Sequence, residues 1–135
     1  MNFIHFNVNP KGKRVSDCVV RAIARAENAN LNDDYNKDIA WRYTFKALSD
    51  LSLSEYVMPN EKTLYEKYLE QHGWKKQKTL KKENGKKYTV KEFAEKNIYG
   101  TFLLRITGHL TVIVDGDLYD TWNCQNKCVG NFWHK

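Results

Sequence analysis

Cysteine is scarce in this chain and odd in number: Cys18, Cys124 and Cys128. Three thiols suit no closed disulfide framework, so they are expected to stay reduced, as in a cytoplasmic protein. No paired C-x-x-C motif occurs, the spacing that many zinc sites use. Cys124, Cys128 and His134 could be joined by a distant fourth ligand, but buried reduced thiols are the ordinary reading, and no metal or cofactor is expected. Proline is limited to two residues, and there is no repeat or low-complexity tract. Long apolar runs are missing as well. The most apolar region, 101–114, is broken by Arg105 and His109 and is too short to span a bilayer. The opening Met1-Asn2-Phe3-Ile4-His5-Phe6 lacks the basic start and apolar stretch of a secretory signal. A soluble, cytoplasmic protein without membrane contact is expected.

What is present suits one domain over 1–135. A chain of 135 residues buries roughly two-thirds of its unfolded surface. A hydrophobic share of 41% with eighteen aromatics is too rich for a disordered chain. The net charge is +6, and eight lysines crowd between Lys75 and Lys91. Such a run is ordinarily a solvated loop or hairpin. Its functional reading is contact with an acidic partner, a protein surface or nucleic acid. Trp74 and Tyr88 flank it, too few aromatics for a base-stacking platform, and lysine is a poorer bidentate reader than arginine.

The hydrophobic spacing orders the elements. Phe3 to Asn7 alternates weakly and predicts a short strand. Ser16 or Asp17 caps a helix that runs to about Asn28 with Val19, Val20, Ile23, Ala24 and Ala26 inward. Asp33 or Asp34 caps a second, with Ile39, Ala40, Tyr43, Ala47, Leu48 and Leu51 as its inner stripe. Asn60 caps a third, with Leu64, Tyr65, Tyr68 and Leu69 inward and Gly73 as its stop. Asn84-Gly85 marks a turn inside the lysine run, and Thr89-Val90-Lys91-Glu92 has capping-box spacing for a short helix ending near Asn97. Strands are expected at 101–106, 109–114, 118–122 and 129–133. Helices first and strands later predict an α+β fold, N-terminal helices packed on a C-terminal antiparallel sheet.

The chemistry starts at Cys18, where the polar loop Asn9-Pro10-Lys11-Gly12-Lys13-Arg14 gives way to a helix. A thiol in a first helical turn sees unpaired N–H groups and the positive end of the dipole, which favour the reactive thiolate. The hairpin signal Asp115-Gly116 then supplies a geometric test. With those two residues as the loop, Val114 pairs with Asp117, Thr111 faces Asp120 and His109 faces Trp122. His109 and Asp120 fall on one sheet face as diagonal neighbours. A thiol, an imidazole and a carboxylate are the set that a cysteine hydrolase uses: nucleophile, base and orienting acid. The Cys18 backbone N–H and the Asn9 side chain are candidate oxyanion donors. Each residue also has an ordinary reading: Cys18 as a small buried group, His109 as a satisfied strand-end histidine, Asp120 as a hairpin residue paired with a lysine. Trp41, Tyr119 and Trp122 could line a pocket, or simply belong to the core.

The segments Asn9-Pro10-Lys11-Gly12 and Asp17-Cys18-Val19-Val20-Arg21-Ala22, with Gly108-His109-Leu110-Thr111-Val112-Ile113-Val114-Asp115-Gly116 and Tyr119-Asp120-Thr121-Trp122, resemble the two ends of small papain-like proteins of bacteriophages and Gram-positive bacteria. The wider likeness is to the papain-like cysteine peptidase superfamily, in its compact C39-like and NlpC/P60-like forms. The resemblance implies a papain-like fold, Cys18 as nucleophile, His109 as base, Asp120 as orienting acid, and a peptide or protein substrate. It departs at the oxyanion position. Many papain-like enzymes carry a glutamine shortly before the cysteine, and here Gly12, Lys13 and Arg14 stand near that spacing, with Asn9 further back.

Two functions of different class therefore compete. One is a thiol hydrolase of peptide, isopeptide or related amide bonds, with acyl transfer to an amine as a close relative. The other is a papain-like binding module without activity, holding an acidic host protein or nucleic acid through the Lys75–Lys91 region. A structural domain with no site is the third.

Overall fold

A computed structural model describes all 135 residues. The elements in chain order are β1 (Phe3–His5), α1 (Cys18–Glu27), α2 (Asp34–Glu55), α3 (Lys62–Gln71), β2 (Lys75–Gln77), α4 (Val90–Lys96), β3 (Thr101–Ile106), β4 (His109–Val114), β5 (Asp117–Asp120) and β6 (Phe132–His134). The fold is α+β. Six strands form one sheet in the order β1-β5-β4-β3-β6-β2. No helix is long and apolar enough to cross a membrane.

Side-chain alternation splits the core into two layers. On one face Leu103, Leu110, Val112 and Trp133 meet Val19, Val20 and Ile23 of α1, Leu48 of α2, and Tyr65, Tyr68 and Leu69 of α3. On the other, Leu104, Ile106, Ile113, Leu118 and Phe132 meet Val90, Phe93 and Ala94 of α4. Three helices thus cover one face and a short helix covers the other.

The β3–β4–β5 meander follows the expected register. Thr101 pairs with Val114 and Ile106 with His109, and Val114 pairs with Asp117 across the two-residue turn. Asp115 and Gly116 both hold positive φ, 49° and 79°, the pair of left-handed residues that a type I′ hairpin needs. Gly116 is confined for a second reason: a Cβ there would lie 3.3 Å from the Ile98 backbone.

Several expectations need correction. The sheet is mixed, not antiparallel, because β1 runs parallel to β5. Nearly the whole chain separates those strands, so no hairpin dictates their direction. The buried residues of α2 are Ala40, Thr44 and Leu48, with Ala47 and Leu51 partly buried against the core as expected, while Ile39 and Tyr43 are exposed. A four-residue repeat of small and branched side chains carries the contact, and the aromatic ring of Tyr43 stays in solvent. Asn60 does not cap α3; Glu61 holds that position without a side-chain cap bond. The last two strands are 117–120 and 132–134, not 118–122 and 129–133, so Trp122 lies beyond the strand that was to pair it with His109. In the lysine run, Lys81 and Lys87 bridge across the Asn84-Gly85 turn, and Thr89 and Glu92 form a capping box at α4.

Candidate active site

The end of the sheet where β4 begins and β5 finishes is also where α1 starts. Cys18 is the first residue of α1 and is partly buried. Its backbone N–H has no backbone acceptor, as the first turn of a helix dictates. Asp17 occupies the N-cap position but makes no side-chain cap bond, contrary to expectation. Its buried carboxylate instead accepts from Arg21 Nε at 2.8 Å and from Trp41 Nε1 at 3.0 Å. The Arg21 guanidinium continues to Thr121 Oγ1 at 2.7 Å and lies 3.6 Å from Asp120 Oδ1. One largely covered arginine therefore ties the start of α1 to the end of β5.

His109 and Asp120 meet as the hairpin count placed them. His109 Nε2 is 2.7 Å from Asp120 Oδ2. That oxygen also accepts from Thr111 Oγ1 at 2.6 Å, and the other accepts from the Thr121 backbone N–H at 2.7 Å. Trp122 stands edge-on to the imidazole, ring centres 5.1 Å apart, and shields the His109–Asp120 pair on one side.

Electrostatics couples the three groups. Burial alone would raise the Cys18 thiol, but hydrogen bonding to His109, the Leu110 backbone N–H and the charges of His109 and Arg21 bring it below its ordinary value. Burial works against charge on the His109 ring. Hydrogen bonds to Asp120 and Cys18 override it and lift the imidazole to about 9. Burial likewise disfavours the Asp120 carboxylate, yet His109 and Thr111 hold it below the ordinary range. Each of the three shifts acts toward the charged form: thiolate, imidazolium and carboxylate.

Cys18 and His109 share a cleft of about 110 Å³ with Val19, Asn60, Lys62, Tyr65, Arg105, Gly108 and Leu110. An apolar cleft of about 340 Å³, lined by Val15, Trp41, Phe45, Met58 and Pro59, adjoins it, since Val19 and Asn60 line both. Trp41 thus lines a pocket beside the site, whereas Trp122 packs on His109.

Asn9 is engaged elsewhere. Its side-chain oxygen accepts from the Lys11 N–H at 3.0 Å, its amide nitrogen points at Asp17 Oδ2 at 3.5 Å, and it does not line the Cys18 cleft. Its place is to fold the loop that precedes α1. Cys124, Cys128 and His134 do not assemble as a zinc set. Cys124 is buried, Cys128 is exposed, and the ligand atoms of Cys124 cluster with His109 and Asp120 within 4.8 Å. Both carboxylate oxygens of Asp120 are already held by hydrogen bonds from the protein. Burial and the Asp120 charge push the Cys124 thiol up to about 12, the state of an inert core cysteine.

Sequence reasoning missed two residues of this site. Arg21 carried a signal, its i,i+4 spacing from Asp17. Tyr65 read only as a core aromatic. It is buried, and its hydroxyl finds no acceptor although the residue lines the cleft with Cys18. Burial pushes this phenol up to about 12, so it keeps its proton at neutral pH.

Compared with protein-family models, curated proteins and solved structures, the chain matches none.

Proposed function

We propose that the chain is a cysteine hydrolase of peptide, isopeptide or related amide bonds, of papain-like architecture and phage or bacterial kind. The observation that carries the reading is the Cys18–His109–Asp120 arrangement, in which a lowered thiol and a raised imidazole sit at one cleft. Buried structural cysteines have the opposite shift, as Cys124 does.

The steps follow from the charge states. The Cys18 thiolate attacks the carbonyl carbon and the C=O π pair moves to oxygen. The Cys18 N–H, already lacking an acceptor, and the Tyr65 hydroxyl are the donors proposed for that oxyanion. The C–N bond then breaks as the His109 imidazolium gives its proton to the leaving nitrogen, which leaves a thioester and a neutral imidazole. Water, deprotonated by His109, cleaves the thioester, and the acid departs with the thiolate and imidazolium restored. Asp120 acts through His109 as a positioning residue, fixing the ring and stabilising its charge. Asn9, whose polar atoms are spent on the loop, would support the first turn rather than the oxyanion.

The test is cleavage of a mixed peptide library, read by mass spectrometry of new N-termini. New termini should form with the wild-type chain and not with Cys18→Ala. A library left intact by the wild-type chain, with no acyl group on Cys18, would overturn the hydrolase reading. It would favour the second one, an inactive papain-like module for an acidic partner. That reading draws on the exposed lysines at 75, 76, 78, 81, 86, 87 and 91 and expects salt-sensitive binding that survives Cys18→Ala.

A further inference from the structure

The walls of the Cys18 cleft are electrostatically one-sided. Lys62 and Arg105 line it together with His109, and no carboxylate lines it. Both cations are half-buried, and neither is in an ion pair. Lys62 Nζ donates to the neutral Asn131 Oδ1 at 2.7 Å, and Arg105 Nε to the Ile106 carbonyl at 3.2 Å. The nearby Glu66 is taken by Lys76. Beyond them a second cleft of about 200 Å³ continues the groove, again lined by Lys62 and Arg105, with Lys87, Thr79, Thr107 and Asn131 added and no acid. A groove thus leads away from the thiol past three cations without internal counter-charges. Cations facing a cavity without a carboxylate partner favour an anionic occupant.

We propose that this groove makes the enzyme selective for amide substrates with carboxylate side chains on the Lys62–Arg105 side of the bond that is cut. The selectivity rests on the acyl-transfer reading of Cys18. A peptide is the occupant that fits, because the thiol at the groove's head needs an acyl carbon, which a nucleic-acid backbone does not offer. The two clefts are also of side-chain size rather than a flat basic face. The groove differs from the exposed lysine run as a whole, of which only Lys87 lines it.

The probes are two alkylating peptides, iodoacetyl-Gly-Asp-Asp and iodoacetyl-Gly-Lys-Lys, with iodoacetamide as the neutral reference. Rates at Cys18 are read by mass spectrometry, and each peptide rate is divided by the iodoacetamide rate of the same protein. The acidic peptide should react about three- to tenfold faster than the basic one at low salt, the range expected of a few partly exposed ion pairs. The advantage should shrink at 0.5 M salt, where screening is nearly complete at about 4 Å. It should be lost in Lys62→Gln/Arg105→Gln and kept in Lys75→Gln/Lys78→Gln, which removes the same charge away from the groove. Equal rates in the wild-type chain, which need no variant to measure, would overturn the proposal. So would an advantage that the groove variant keeps and the remote variant loses. A slow iodoacetamide reaction at Cys18 would instead count against the nucleophile itself, leaving the ratio of the two peptides readable.

Discussion

Cys18 owes its chemistry to position. The residue type is common and its burial alone would leave it protonated. What lowers it is the company of His109, the Leu110 N–H and Arg21 at the first turn of a helix. His109 depends in turn on Asp120, both of whose carboxylate oxygens are held by Thr111, Thr121 and the imidazole itself. Tyr65 is the least expected member, a buried donor without an acceptor in the cleft that holds the thiol. An orphaned donor in such a place costs stability unless something fills it, and a developing oxyanion would. Tyr65→Phe is therefore expected to lower kcat by about 10²-fold or more, as loss of an oxyanion donor does, with folded stability unchanged or slightly raised. Steady-state kinetics and thermal melting of the same variant check both halves. The His109–Asp120 contact was legible in the sequence because a two-residue hairpin fixes register by counting. Tyr65 was not, because it comes from α3 and reaches Cys18 only through packing of α3 and α1 on the same sheet face. Asn9 was legible as a polar loop residue, but its direction toward Asp17 depends on how that loop closes.

At the scale of elements, α1 is the part that must be held still. Its N-cap residue does no capping; Asp17 is spent on Arg21 and Trp41. Arg21 then spans to Thr121 and Asp120 at the end of β5. With its side chain only 13% exposed, Arg21→Met leaves Asp17 and Asp120 short of their cation. The expected cost is about 3 kcal/mol, the scale for breaking a buried pair by removing one partner. Urea unfolding measures it, and a loss no larger than that of a surface substitution would deny the linking role. The helices and the β3–β4–β5 meander were readable from spacing and turn chemistry. The direction of β1 was not, since a strand pairing across most of the chain carries no local signal. The inner face of α2 was misread at Ile39 and Tyr43, which are exposed, and at Thr44, whose polar side chain is buried. Periodicity finds a helix more surely than it finds which of two adjacent stripes faces inward.

For the whole molecule, the site makes stability depend on pH in a stated direction. The folded imidazole titrates at about 9 against an ordinary value of 6.5. A raised base contributes stability that is fully present below the unfolded value and is lost as pH rises through the folded one. In a Cys18→Ala background, which removes the opposing contribution of the lowered thiol, the chain with His109 should lose stability relative to the one with His109→Gln as pH rises above 6.5, as chemical denaturation at several pH values would reveal. The same pH dependence in both would contradict it. Two clefts and a groove meet at the same end of the sheet, so the molecule concentrates its apolar recess, its uncompensated cations and its reactive thiol in one place. The account stands or falls on whether Cys18 is a thiolate sustained by His109. The direct measurement is the pH profile of iodoacetamide alkylation, resolved by residue, in the wild-type chain and in His109→Ala. Cys18 should react with a midpoint below that of an ordinary thiol and much faster at neutral pH than either the buried Cys124 or the exposed Cys128, and His109→Ala should move the midpoint upward. A Cys18 that reacts no faster than Cys128, or whose midpoint is the same in both proteins, would contradict it.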